Sequence, residues 1–278
     1  MFQKLLLCAC FGLGQLLRPA HCEAAKKVDL FVHEQELVIG TTLTLYSEVL
    51  AEQRRINIYF PPGFDAASKQ VLPVLYMPDG GMAEDFLHVA GLMQVSVGNG
   101  TMRPFLLVGI ENTQRRRDLT GPTKNADDKK IAPVVGGSAA FRRFLRTELK
   151  PLIKARYRIT DESAIVGESL AGLFVVETYV LEPDLFDRYI AIDPSLWWNN
   201  QYLIRNGERL VTLKKRMAKP LFIATSGEPG SLDAAQRFVH ALALRANTHT
   251  LLPMPKETHA TIYHPAALQA FRALFAPN

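Results

Sequence analysis

Short apolar runs and longer amphipathic stretches alternate along most of the chain. Arg55–Phe60 (RINIYF) reads as a strand stopped by Pro61-Pro62-Gly63, and Val71–Met77 (VLPVLYM) as a second that ends at Pro78-Asp79-Gly80-Gly81. A helical stretch follows over Met82–Val97, then the apolar strand Phe105–Ile110. From Glu111 to Gly137 the pattern fails, because the segment is polar, basic and punctuated by Gly and Pro. A stretch of that length inside a compact domain marks a functional loop or lid.

Phe141, Phe144, Leu145, Leu149, Leu152 and Ile153 recur at helical spacing and predict an amphipathic helix over Ala139–Tyr157, kinked at Pro151. Ala164–Val166 then reads as a brief strand, Leu170–Leu181 as a mostly apolar helix and Tyr189–Ile192 as another strand. A helix over Leu203–Met217, the strand Leu221–Thr225, a helix over Leu232–Arg245, the strand Thr250–Met254 and a helix over Pro265–Phe275 complete the series. This order predicts an α/β fold: a mostly parallel sheet with helices on both faces, binding its ligand at the carboxyl ends of the strands.

The first 25 residues stand apart. Lys4, a thirteen-residue apolar run over Leu5–Leu17 and small residues around Ala20–Ala25 read as a secretory signal peptide, with cleavage after Cys22 or Ala24. The run is short for a bilayer span, and Pro19-Ala20-His21 before Cys22 is a poor lipidation site, which favours a soluble periplasmic or secreted protein. Residues 1–24 are thus expected to be leader and residues 25–278 a single domain. No later apolar stretch predicts a membrane span.

Composition narrows the chemistry. All three cysteines (Cys8, Cys10, Cys22) lie in the leader, which excludes a disulfide scaffold, a cysteine nucleophile and a thiolate metal site from the body. The net charge of +5 includes Lys4 and Arg18 of the leader and is too mild to argue for a nucleic-acid partner. No phosphate loop, dinucleotide fingerprint or His-Glu-x-x-His pattern is present in the body, so no cofactor is expected.

Gly167-Glu168-Ser169-Leu170-Ala171-Gly172 falls between a predicted strand and a predicted helix, the context of a nucleophile elbow. The tight turn requires small residues two positions either side of the serine. Gly167 meets that requirement, and Ala171 is the smallest substitute for the usual second glycine. A serine hydroxyl needs a base, and the order Ser, acid, His leaves four later histidines. His240 lies within a helix and His249 before a strand, while His264 precedes Pro265 at a helix start. His259, on the loop leaving the final strand, is the expected base. The acid is expected after the strand before last, where Glu228 stands at the tip; Asp233, in the first turn of the next helix, and a dyad oriented by a backbone carbonyl are the alternatives. Oxyanion donors are expected from the N–H of Leu170 and from Gly80 or Gly81, whose alternative role is to permit a strand-ending turn.

These residues resemble the putative-esterase branch of the α/β hydrolases, which holds siderophore trilactone esterases, feruloyl esterases and mycolyltransferases. The likeness runs from about Arg54 to the C-terminus. It rests on six motifs in order: Leu75–Gly80, Asn112–Thr120, Glu148–Ile153, the elbow, Asp193–Trp198 and Glu257–His259. It implies an α/β-hydrolase fold, with Ser169 as nucleophile and His259 as base, while the acid varies. Two positions depart from the family: Ala171 replaces glycine, and Asp193 stands where a serine is usual before Pro194-Ser195-Leu196-Trp197-Trp198.

The expected activity is cleavage of carboxylic esters through an acyl-enzyme on Ser169, with a siderophore trilactone or a carbohydrate-linked ester as substrate. An acyltransferase would use the same residues, and a non-catalytic binding module would use the arginine loop alone. Arg115 and Arg117 are candidates to hold an anionic substrate, because guanidinium forks pair with carboxylate and catecholate oxygens. Arg117-Asp118 reads equally as an internal ion pair. Trp197 is a candidate to line an aromatic acyl or sugar site, against ordinary packing of such a tryptophan.

Overall fold

The structure is a computed structural model that describes residues 33–277 except 66, 68, 214–218 and 244–248. The expected signal peptide lies outside the described residues. The chain divides into two units, residues 1–38 and 39–278. Of the first, residues 33–38 are described and carry no regular secondary structure. The second holds every strand and helix described below.

Eight strands form one sheet: β1 Thr41–Ser47, β2 Glu52–Tyr59, β3 Leu72–Pro78, β4 Leu106–Ile110, β5 Ile159–Glu168, β6 Arg188–Ile192, β7 Leu221–Thr225 and β8 His249–Pro253. Their order is β1-β2-β4-β3-β5-β6-β7-β8. The β1/β2 and β2/β4 pairs are antiparallel, and all pairs from β4/β3 to β7/β8 are parallel. The helices are α1 Phe86–Gly98, α2 Arg115–Leu119, α3 Ala126–Ile131, α4 Ser138–Phe144, α5 Lys150–Arg156, α6 Leu170–Leu181, α7 Trp198–Leu213, α8 Ser231–Ala243 and α9 Tyr263–Leu274.

Alternation along the strands divides the core into two layers. Val74 and Tyr76 of β3 face a layer that includes Phe141, Phe144, Phe174 and Phe238, while Leu75 and Met77 face one that includes Phe86, Phe105, Phe271 and Phe275. Strands buried on both faces read as continuous apolar runs, which is why β3, β4, β6 and β7 are evident in the sequence.

Three elements differ from expectation. Strand β1 (TTLTLYS) was not predicted: it is a mostly exposed edge strand whose alternating threonines carry little apolar signal. The presumed structureless Glu111–Gly137 segment contains the short helices α2 and α3. The single helix over Ala139–Tyr157 is α4, a π-helical turn over Leu145–Leu149, and α5. Pro151 sits at the start of α5, and its ring would crowd the carbonyl four residues back in a regular α-helix; the wider π turn accommodates it.

Beneath the edge of the sheet Arg54 is fully buried, its guanidinium bonded to Asp118 at 2.6 Å, Glu52 at 2.9 Å and the carbonyl of Glu111 at 3.0 Å. Its faces lie over the rings of Phe141 and Phe144. This network ties the start of the Glu111–Gly137 segment to β2.

Candidate active site

Ser169 joins β5 to α6 with φ 59° and ψ −118°, a conformation disfavoured for a residue with a Cβ. Its N–H donates to the carbonyl of Ile192 at 3.0 Å, which anchors the turn on the neighbouring strand. A Cβ on Gly167 would lie 2.6 Å from the backbone of Ala171, so glycine is required there. Ala171 in turn is accommodated because Gly167 leaves the space, and its side chain is fully buried.

The hydroxyl of Ser169 lies 3.0 Å from Nε2 of His259, within reach to donate to it. His259 comes from the loop between β8 and α9, where a turn closed by the N–H groups of Thr261 and Ile262 on the carbonyl of Thr258 presents the ring. Its Nδ1 lies 2.7 Å from Oδ2 of Asp193.

Asp193 directly follows β6, with φ 42° and a side chain 4% exposed. The N–H of Ser226 donates to its Oδ1 at 2.9 Å, the Ser226 hydroxyl to its Oδ2 at 2.8 Å, and the Ser231 hydroxyl also to Oδ1. Burial opposes its charge, but the His259 bond and these serine donors outweigh burial and hold the carboxyl down at about 2. Asp193 likewise raises the basicity of His259, more than desolvation of the ring lowers it.

The expected acid lies after β7, whereas the carboxylate bonded to His259 is Asp193, after β6. Strand β6 adjoins β5, and Ile192 pairs with Glu168, so the residue after Ile192 emerges beside the elbow. Glu228, at the tip after β7, is exposed, and no hydrogen bond links it to His259. Asp233 pairs with Arg237. The signal was present in the sequence as the departure at Asp193 before Pro194. His264, the alternative base, stacks on His88 at 4.9 Å.

The N–H of Leu170, at the first position of α6, has no carbonyl to meet within its helix and is positioned to donate to an anion. The expected glycine donors are both engaged. The N–H of Gly80 pairs with the carbonyl of Ile110 at 3.0 Å, and a Cβ there would strike Gly109 at 2.3 Å, so Gly80 serves strand packing. The N–H of Gly81 donates to Oε2 of Glu84 at 2.7 Å.

Arg117 does not reach the site, because its guanidinium pairs with Glu52 at 2.7 Å and Asp118 at 2.7 Å, joining the Arg54 network. Arg115 clasps Asp79 with two bonds of 2.6 and 2.8 Å, and its charge also acts on Glu168 beside Ser169. Trp197 is 48% exposed, while Trp198 is buried and donates from Nε1 to the carbonyl of Gly121 at 3.0 Å. A cavity of about 710 Å³ runs along α6, starting one turn beyond Ser169 and lined by Leu173, Glu177, Leu196, Trp198, Tyr202 and Leu203 among others. Among the described residues no cluster of His, Cys, Asp and Glu suits a metal ion, and no helix is long and apolar enough to cross a membrane.

Among solved structures, an IroE-like serine hydrolase from Shewanella oneidensis superposes with a TM-score of 0.75 at 29% identity, covering 85% of this chain and 80% of its own. The BES protein from Bacillus cereus superposes with a TM-score of 0.74 at 22% identity, covering 87% and 98%. The sheet order, the strand–serine–helix elbow and these likenesses define an α/β-hydrolase fold. The chain belongs to the putative-esterase family, whose model matches residues 47–226. The ferri-bacillibactin esterase BesA of Bacillus subtilis is 35% identical over 189 residues, 62% of this chain and 64% of BesA. The siderophore triacetylfusarinine C esterase of Aspergillus fumigatus is 35% identical over 161 residues, 52% of this chain and 51% of that enzyme. The matched regions thus span less than two thirds of these two curated relatives.

Proposed function

We propose that this protein is an exported serine esterase that hydrolyses carboxylic esters through an acyl-enzyme on Ser169. The observation that carries the reading is the continuous relay from Ser169 through His259 to Asp193, at 3.0 and 2.7 Å. Nε2 of His259 takes the hydroxyl proton as the serine oxygen attacks the ester carbonyl. Asp193 holds the ring with Nε2 toward the serine and stabilises the imidazolium. The N–H of Leu170 donates to the developing oxyanion. The imidazolium then protonates the departing alcohol, and water repeats the sequence to release the acid.

The substrate proposed is a siderophore trilactone, supported by the activities named for the two curated relatives. Arg115 and the exposed face of Trp197 are the groups proposed to meet it: a guanidinium that donates to acceptor oxygens and an indole for an aromatic arm. The leader supports export to the periplasm or beyond. The test is a fluorophosphonate probe followed by turnover of a ferric trilactone beside p-nitrophenyl esters. Adduct at Ser169, lost in Ser169→Ala, together with trilactone cleavage supports the reading. A folded protein that neither labels nor turns over any ester overturns it.

A further inference from the structure

The imidazole of His259 has a neighbour that the relay does not require. Oε1 of Glu168 lies 3.3 Å from Nε2, the same nitrogen that faces the Ser169 hydroxyl at 3.0 Å. Two oxygens therefore compete for one ring nitrogen, while Asp193 occupies the other. The Glu168 side chain is 16% exposed, at the end of β5.

The charges around this pair are mostly negative. Asp79 after β3 and Asp85 before α1 bear on Glu168, and Arg115 of α2 is the facing cation, itself bonded to Asp79. The phenol of Tyr263 on α9 lies in the field of the same carboxylates. On the imidazole side stand Asp193 after β6 and Glu228 after β7. A lone-pair nitrogen and an ionised carboxylate repel at 3.3 Å, whereas a proton between them satisfies both.

We propose that Glu168 is a positioning residue that shares a proton with His259, so that the base is freed for Ser169 at a higher pH than it would be without the carboxylate. This rests on the assignment of His259 as the base. With the proton present, Nε2–H donates to the Glu168 carboxylate, and the Ser169 hydroxyl finds no lone pair there. Loss of that proton to solvent frees the Nε2 lone pair for the hydroxyl. Once Ser169 has attacked, the proton it surrenders lies again between Nε2 and Glu168 before passing to the leaving alcohol. Burial pushes the Glu168 carboxyl up to about 7, and the Asp193 hydrogen bond together with the Glu168 charge raises the imidazole of His259, so the two groups titrate as a pair.

The isosteric Glu168→Gln removes the charge and keeps the volume. The acid limb of kcat/KM for p-nitrophenyl acetate is expected to move down by about one pH unit, so that relative activity at pH 6 rises several-fold. Glu168→Asp, which keeps the charge and withdraws it by one methylene, should fall between the two. The direct reading is the NMR titration of the His259 ring in Ser169→Ala, with and without Glu168→Gln, the resonance being assigned by its loss in His259→Asn. It needs no turnover, so it decides the proton sharing even if ester hydrolysis fails. A His259 midpoint lower by about one unit without the carboxylate supports the proposal. A midpoint that is unchanged or higher overturns it.

Discussion

The carboxylate of Asp193 and the imidazole of His259 meet at 2.7 Å across a separation of 66 residues. That contact joins the end of β6 to the loop after β8, passing over β7, whose own following residue Ser226 braces the carboxylate from below with its N–H and hydroxyl. The Asp193 carboxylate thus accepts from Ser226 and Ser231 on one side and meets the imidazole on the other.

If Asp193 orients the base, Asp193→Asn should lower kcat/KM for p-nitrophenyl acetate by roughly 10³- to 10⁴-fold, since an amide favours the wrong tautomer. Glu228→Gln should change it by less than about threefold, as expected of an exposed side chain. Steady-state kinetics of the two variants separate these positions. Equal losses would return the acid role to Glu228.

The depressed carboxyl of Asp193 also has a thermodynamic signature. Its folded value of about 2 lies below the unfolded value, so its contribution to stability is present above the unfolded pKa and is lost as pH falls toward 2. Urea denaturation at pH 6 and at pH 2.5 should show Asp193→Asn losing less stability on acidification than wild type does, by on the order of 1–2 kcal/mol.

The buried Arg54 holds Asp118 and Glu52 together, and removing it takes the buried partner from Asp118, which is 1% exposed and keeps only the Arg117 pair. Arg54→Met should therefore destabilise by about 3–5 kcal/mol, while Arg54→Met combined with Asp118→Leu should recover part of that loss. Chemical denaturation of the single and double variants checks both.

At the elbow, Gly167→Ala drives a Cβ to within 2.6 Å of the Ala171 backbone. It should lower Tm by several degrees, roughly 1–3 kcal/mol, and ester turnover with it. Ala171→Gly, which removes a side chain and adds none, should retain the activity of the wild type within about threefold.

Much of this architecture can be read from residue order. The buried strands β3, β4, β6 and β7 stand out as unbroken apolar runs, and the elbow shows through the small residues around Ser169. The place of His259 after the last strand marks it in the sequence, and the fold sets its Nε2 3.0 Å from the serine oxygen. What the chain concealed was pairing across distance. The departure at Asp193 marks the position without assigning it a role; the adjacency of β5 and β6 is what brings Asp193, and not Glu228, to the imidazole. The three arginines of the Glu111–Gly137 segment look alike in sequence, yet Arg117 is enclosed by Glu52 and Asp118, Arg115 is bound to Asp79, and Arg116 is exposed. Partners brought in from β2 and β3 decide those fates.

Serine, carboxylate and imidazole depart from the ends of β5, β6 and β8, strands of one hydrogen-bonded sheet. A sheet of that kind behaves as a common plate under thermal agitation, so fraying of the outer helices shifts the three side chains in concert rather than apart. On heating, catalytic competence should accordingly persist up to the cooperative melt and vanish with it, instead of fading at some lower temperature.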